Sequence, residues 1–381
     1  MSRIGIIAAC GKSGRAGLKT TKGAFWCAGK RLIAHQLAFL RRSCCDRVII
    51  ICRSEYLSIL ARSLDGEDHK IISWLAYDGH TGWVGSLEQA IPLIRHYSDS
   101  SEDEVVIISI DNIHEEEQAR KIPPYKDALH TYTNWDCADR SPSQGPICGR
   151  VNDQWVSCSG VGFNGFLFTG YIVCKADVFC TTIPLIKPSL SIADRNEREI
   201  SSWLELLHKA YFCVAVPYGG HYLDVASLND LALIHALKTD ISTNKPVTIG
   251  AGVLVGYNNR AYCLLIERKD NRGWGPPGGL VDKDETYAQA AVRELEEETG
   301  IEIEPDSLRL VGVYPTCGKY GEPGCSVIFT VQASEKYAIF MTSDEVKSIS
   351  WYNKEKVLSL TIPFDLKQAV GDFFDGWDIS A

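Results

Sequence analysis

No run of about 18 apolar residues occurs anywhere in the chain, so no helix is expected to cross a membrane. The N-terminus begins with a short apolar stretch, but Gly11-Lys12-Ser13-Gly14-Arg15 interrupts it too early for a signal peptide, and none is expected. Basic charge is not in excess: Lys and Arg number 39 against 48 Asp and Glu, a formal net charge of −9. Such a chain lacks the electrostatic footprint of nonspecific duplex binding. If it handles phosphates, it must do so with local cations or bound metal. The 9 tryptophans and 16 tyrosines do not alternate with basic residues, so no RNA platform and no nucleic-acid partner are expected. The 14 cysteines include no CxxC pair; the nearest features are adjacent Cys44-Cys45 and Cys174 with Cys180. Disulfide frameworks belong to short secreted chains, so free thiols in a reducing cytosol are expected, and no structural zinc. The 9 histidines form no HExxH or HxxxH pattern.

What is present is ordinary for a soluble globular protein: 45% hydrophobic and 23% charged residues in 381. That length predicts two or three domains. From Ile4 to Leu237, strand-like runs (Ile4–Ala9, Arg47–Cys52, Ile71–Leu75, Val105–Ile110) alternate with helical spacing over Leu32–Arg42 and Ser86–Arg95. Such alternation predicts an α/β fold with a mostly parallel sheet. The polar stretch 239–246, closed by Pro246, reads as a linker between domains 1–238 and 247–381. It predicts domains that fold alone when cut within Asp240–Lys245. Beyond it, Val247–Val255 and Ala261–Glu267 read as a strand pair. A glycine-rich loop, one strong helix and further strands follow, an α+β pattern.

Glu285–Thr299 is rich in helix formers, and Gly300 stands where a glycine ends a helix. On that helix Glu294, Glu297 and Glu298 fall at i, i+3 and i+4, on one face. Clustered carboxylates repel, and a hard divalent cation relieves the penalty. Metal there can neutralise a diphosphate and activate water. The run from Gly279 through Glu285 to Arg293-Glu294-Leu295-Glu296-Glu297-Glu298-Thr299-Gly300-Ile301 fits G-x5-E-x7-R-E-U-x-E-E-x-G-U, U being aliphatic, at every defined position. Residues 247–374 thereby resemble the Nudix hydrolases. The resemblance takes in Trp274-Gly275-Pro276-Pro277-Gly278-Gly279 and the stretch Ser343-Asp344-Glu345…Trp351. It implies a Nudix fold, an α/β/α sandwich, and metal-dependent hydrolysis of a nucleoside diphosphate linked to X, with Mg²⁺ or Mn²⁺ on Glu294, Glu297 and Glu298. Gly279, Glu285 and Arg293 would support the loop–helix geometry.

At the other end, a strand runs to Ala9-Cys10 and then to Gly11-Lys12-Ser13-Gly14-Arg15-Ala16-Gly17, with Lys22 beyond. Walker A spacing fails, because five residues separate Gly5 from Gly11 where four are needed. What remains is a loop offering backbone N–H groups and two cations to phosphates. It resembles the loop of nucleotidyltransferases that join a nucleoside triphosphate to a sugar phosphate or similar phosphate. Cys10 stands as a one-residue insertion, Gly14 replaces a hydroxyl residue and Thr21 replaces proline. Gly29-Lys30-Arg31-Leu32-Ile33, Thr81-Gly82-Trp83-Val84-Gly85-Ser86-Leu87, Phe163-Asn164-Gly165 and His221-Tyr222-Leu223-Asp224 extend the resemblance, as does Arg195-Asn196-Glu197-Arg198-Glu199 more loosely.

The resemblance implies a Rossmann-like, GT-A-type fold. Gly11, Ser13, Gly14, Gly85 and Ser86 would bind nucleotide, Arg15 and Lys22 would hold the triphosphate, and Asp111 and Asp224 would hold Mg²⁺. Implied partners are a nucleoside triphosphate, a phosphorylated acceptor such as a sugar phosphate, and a nucleoside diphosphate-X substrate. The expectation is a cytoplasmic bifunctional enzyme. The alternatives are a hydrolase with an inactive nucleotidyltransferase-like module, and a nucleotide sensor.

Overall fold

The structure is a computed structural model that describes residues 2–11, 17–67, 69–79, 82–113, 129–134, 147–151, 154–158, 166–188, 200–210, 213–218, 223–225, 227–239, 241, 243–318, 320–334, 344–363 and 366–380. Two compact units divide the chain. One is Met1–Lys12 with Leu32–Asp224; the other is Ser13–Arg31 with Val225–Ala381. The division does not fall at the linker 239–246, because a short N-terminal segment and the helix Leu228–Lys238 pack into the second unit.

In the first unit, Ile72–Ala76, Arg47–Cys52, Arg3–Ala9 and Glu104–Ser109 pair in that order, all parallel. The sheet continues with antiparallel Phe166–Lys175. Side chains on successive strand residues point to opposite faces, and here both faces are covered. Ile4, Ile6, Ile49, Ile51, Val105 and Ile107 join one core with the helices Gly82–Glu88 and Ile91–Tyr97. Ile7, Val48, Ile50, Val106 and Ile108 join another with the helix Leu32–Arg42. This explains why the strands read as continuous β-branched runs. The single helix expected over Ser86–Arg95 is two, since Pro92, lacking an N–H, is accommodated in the first turn of the second.

In the second unit, Thr248–Tyr257 lies parallel to Pro323–Ala333 and antiparallel to Tyr262–Arg268 and Gly278–Leu280. Asn258, Asn259 and Arg260 turn the first hairpin with positive φ. The helix Tyr287–Thr299 buries Ala290, Ala291 and Leu295. Leu228, Leu231, Ala232, Ile234 and Ala236 are buried on the helix Leu228–Lys238, and Leu18, Ala24, Phe25 and Cys27 in the N-terminal segment. Among the described residues no helix is long and apolar enough to cross a membrane, and the described cysteines are free thiols.

Candidate functional site

The helix Tyr287–Thr299 starts two residues later than Glu285. Thr286 is its N-cap, accepting from Gln289 N while the Gln289 side chain accepts from Thr286 N, a capping box. Gly300, at φ 70°, ends it in the left-handed region open to glycine. Glu285 therefore stands in the preceding loop, not on the helix face, and reaches Arg293 from there. Arg293 Nε and Nη2 donate to the two Glu285 carboxylate oxygens at 3.1 and 2.8 Å, and Glu285 also accepts from Asp282 N at 2.7 Å. The hydrogen bonds from Arg293 hold the Glu285 carboxyl below the usual carboxylate range. Arg293 Nη2 donates to the Leu280 carbonyl at 3.1 Å as well, so one guanidinium fastens loop to helix.

Glu298 is 3% exposed. Its Oε2 accepts from Gly278 N at 2.8 Å, and Arg268 lies 3.6 Å from Oε1. Burial pushes its carboxyl up to about 7, against the Gly278 hydrogen bond and Arg268, with Glu294 and Glu345 adding to the rise. Burial also raises Glu294, although Arg293 donates to it at 2.8 Å. Glu297 is exposed and 3.4 Å from Arg293. The three glutamates line a cavity of 590 Å³, a size suited to a small molecule. Among the described residues no three Asp, Glu, His or Cys side chains are arranged to hold an ion. The donor set nonetheless fits Mg²⁺ or Mn²⁺. It consists of carboxylate oxygens on one helix face, two of them raised by burial in spite of the neighbouring Arg293 and Arg268.

Two glycines make room for this arrangement. A Cβ on Gly278 would lie 2.4 Å from the Ala251 carbonyl oxygen, and one on Gly279 would lie 2.4 Å from the Glu294 carboxylate. Gly279→Ala should therefore displace the Glu294 carboxylate, the far end of a flexible side chain. Hydrolysis should fall roughly tenfold to a hundredfold. The melting temperature should stay within a few degrees, and a kinetic and thermal comparison of the purified variant checks both.

Sequence reasoning missed Arg268 as a cavity residue and gave Glu345 no role. Arg268 ends its strand beside Glu298 and is also held by Glu345 at 2.7 Å and Asp270 at 3.3 Å. Strand-end position was the available signal, but nothing in the spacing pointed it toward Glu298.

In the first unit, Gly11 is exposed just past the strand Arg3–Ala9. Asp111 follows the strand Glu104–Ser109 and accepts from Ser109 Oγ at 2.5 Å. The backbone of Asp224 pairs with that of Asn112, next to Asp111. Ser86 does not face outward: it is 1% exposed, and its hydroxyl donates to the Trp83 carbonyl at 2.7 Å, beside a Cys10 thiol that burial pushes up to about 11. Gly85 is buried in the same helix. Lys22 is 6% exposed in a turn, Lys22–Ala24, that belongs to the second unit, whereas Gly11 and Asp111 belong to the first. Ser13, Gly14, Arg15, Thr81, Phe163-Asn164-Gly165, Arg195-Asn196-Glu197-Arg198-Glu199, His221-Tyr222 and Ser343 lie outside the described residues.

Residues 246–373 match the family profile described as NUDIX domain. A MutT-like protein of Streptomyces ambofaciens is 35% identical over 107 residues, 28% of this chain and 64% of that protein, so the chain spans just under two thirds of its length. A Bacillus subtilis (strain 168) protein named for 8-oxo-dGTP diphosphatase is 30% identical over 129 residues, 34% of this chain and 81% of that protein. A solved structure from Bacillus anthracis, named for glucose-1-phosphate thymidylyltransferase, is similar with a TM-score of 0.51 at 18% identity, covering 64% of this chain and 98% of that one. At that identity the likeness is one of fold, and the N-terminal region has the nucleotidyltransferase fold with its mostly parallel sheet.

Proposed function

This chain belongs to the Nudix family through residues 246–373, and from that premise we propose that its second unit hydrolyses a nucleoside diphosphate linked to a further group X. The observation that carries this is the cavity-lining face of Glu294, Glu297 and Glu298, with Glu298 buried against the Gly278 N–H. Those three carboxylates would hold Mg²⁺ or Mn²⁺. The metal, when bound, supplies charge neutralisation for the diphosphate and makes water more acidic. Arg293 fixes the loop through Glu285 and leaves the glutamate face in register with Gly278-Gly279. Water adds to a phosphorus and a P–O bond of the diphosphate breaks. Hydrolysis of ADP-ribose, nucleoside diphosphate sugars and dinucleoside polyphosphates with Mg²⁺ or Mn²⁺ tests the reading; no turnover on any would count against it.

For the first unit the proposal is transfer of a nucleotidyl group from a nucleoside triphosphate to a phosphorylated small molecule, with release of pyrophosphate. The acceptor phosphate is itself a nucleophile, so the protein must chiefly position two anions and stabilise in-line displacement. Asp111, one residue before the Asn112–Asp224 backbone pair, supports a two-aspartate metal site. Asp111→Asn should lower transfer tenfold or more, because it removes charge from that site without changing side-chain shape. Pyrophosphate release across nucleoside triphosphates and sugar, polyol and choline-type phosphates is the measurement. Transfer unchanged by Asp111→Asn would reject the metal assignment. The second reading, an inactive ligand-binding module, is favoured by the buried, inward hydroxyl of Ser86. It gains if the wild type transfers to no acceptor.

A further inference from the structure

The cavity beside the carboxylate helix has a second feature that the hydrolytic chemistry does not use. Tyr320, a large aromatic residue, lines it and is 71% exposed. It stands in the turn between the strands Arg309–Cys317 and Pro323–Ala333. The turn is not held loosely. Gly318 N donates to the Glu322 carbonyl at 2.8 Å, and Gly321 N to the Gly318 carbonyl at 3.1 Å. Tyr320 is itself fastened at both ends of its own backbone. Its N–H donates to Glu322 Oε2 at 2.9 Å, and its carbonyl accepts from Lys245 Nζ. Thus Lys245, at the end of the linker, braces the cavity lip. An exposed ring on a fixed backbone loses little freedom on binding a flat ligand.

The same cavity is lined by Arg268, a cation for a diphosphate, and by the three glutamates that would hold the metal neutralising it, whereas Tyr320 offers an apolar face. A ligand that meets both has an anionic part and a flat aromatic part. We infer that Tyr320 is the platform on which the base of the nucleoside diphosphate stacks, and that it sets the preference for nucleoside over base-free diphosphates. The inference rests on the hydrolase reading proposed above and deepens it. Every base has a π-face, so the platform tolerates purines and pyrimidines alike.

The test uses the full chain. Tyr320→Ala should raise KM for ADP-ribose by about tenfold, the lower part of the range for lost base–aromatic stacking, with the loss falling on KM rather than kcat. Tyr320→Phe and Tyr320→Trp, which keep a ring, should restore it. The selectivity for ADP-ribose over phosphoribosyl pyrophosphate, which has no base, should collapse by at least about fivefold in Tyr320→Ala. Independently of turnover, 8-azido-ADP-ribose should photolabel the peptide spanning residues 317–323, located by mass spectrometry. An unchanged KM in Tyr320→Ala, or label placed only elsewhere in the chain, overturns the inference. Should the hydrolase reading itself fail, wild-type turnover is absent while the photolabel still decides whether the base sits on Tyr320.

Discussion

Glu298→Gln should lower metal-dependent hydrolysis by about a hundredfold or more, because a displaced or missing ion forfeits several kcal/mol of charge stabilisation. The fold should survive. Glutamine is nearly isosteric and has almost the same helix propensity, and its amide oxygen can still accept from Gly278 N. Stability without metal should move the opposite way to activity. Burial raises the Glu298 carboxyl from 4.5 to about 7 in the folded protein. For an acid raised on folding, the stabilising contribution is full below the unfolded value near 4.5 and is lost as pH rises through about 7. In chelator, the wild type should therefore lose stability between those pH values, and Glu298→Gln should lose less. The difference should be on the order of a few kcal/mol at most, since part of the Glu298 rise comes from the neighbouring Glu294 and Glu345 charges and not from burial alone. Melting curves at pH 5 and pH 8 in chelator measure this. In ¹⁸O water, the label should appear on phosphate. Wild-type turnover by Glu298→Gln, or label on the sugar carbon, would sink the assignment.

Much of this site was legible in the sequence because helix geometry is local. Spacings of three and four residues put Glu294, Glu297 and Glu298 on one face whatever the rest of the chain does. Gly300 marked the helix end for the same reason. The parallel strands of the first unit were legible because burial on both faces leaves an unbroken β-branched signature, as in Val48–Cys52. What escaped was set by distant contacts. Arg268 meets Glu298 across thirty residues of chain, and Lys245 meets Tyr320 across seventy-five. Propensity alone places Glu285 in the helix, because Glu is a good helix former. The Thr286 capping box, which excludes it, depends on side-chain hydrogen bonds as well as propensity. The polar composition of 239–246 suggests a linker, yet composition carries no information on which unit a neighbouring helix packs against.

Cutting the chain within the linker should leave the C-terminal piece unable to fold, contrary to what the linker's composition predicts. The helix Leu228–Lys238 and the segment through Arg31 belong to the same unit as residues 241–381. Without them, the surfaces that cover Leu231, Ile234, Phe25 and Cys27 would face water. The sharper loss is electrostatic. Arg31 is buried, donates to the Ala24 carbonyl at 3.1 Å and pairs with the buried Asp372. Its guanidinium also lies 4.4 Å from the Trp377 ring centroid and 5.2 Å from that of Trp26. Asp372 accepts from Tyr314 Oη at 2.5 Å and from Gln368 Nε2 at 2.8 Å. Removing one partner of such a pair strands a charge in the core, a cost of about 3–5 kcal/mol. In the full chain, Arg31→Leu and Asp372→Asn should each destabilise the second unit by amounts of that order. The double variant should cost clearly less than their sum, since it leaves no unpaired charge. Denaturant unfolding of the four proteins, followed by Trp fluorescence, gives the coupling. A soluble, cooperatively folded piece 241–381 with full hydrolase activity, or strictly additive single variants, would show that this clasp does not hold the unit together.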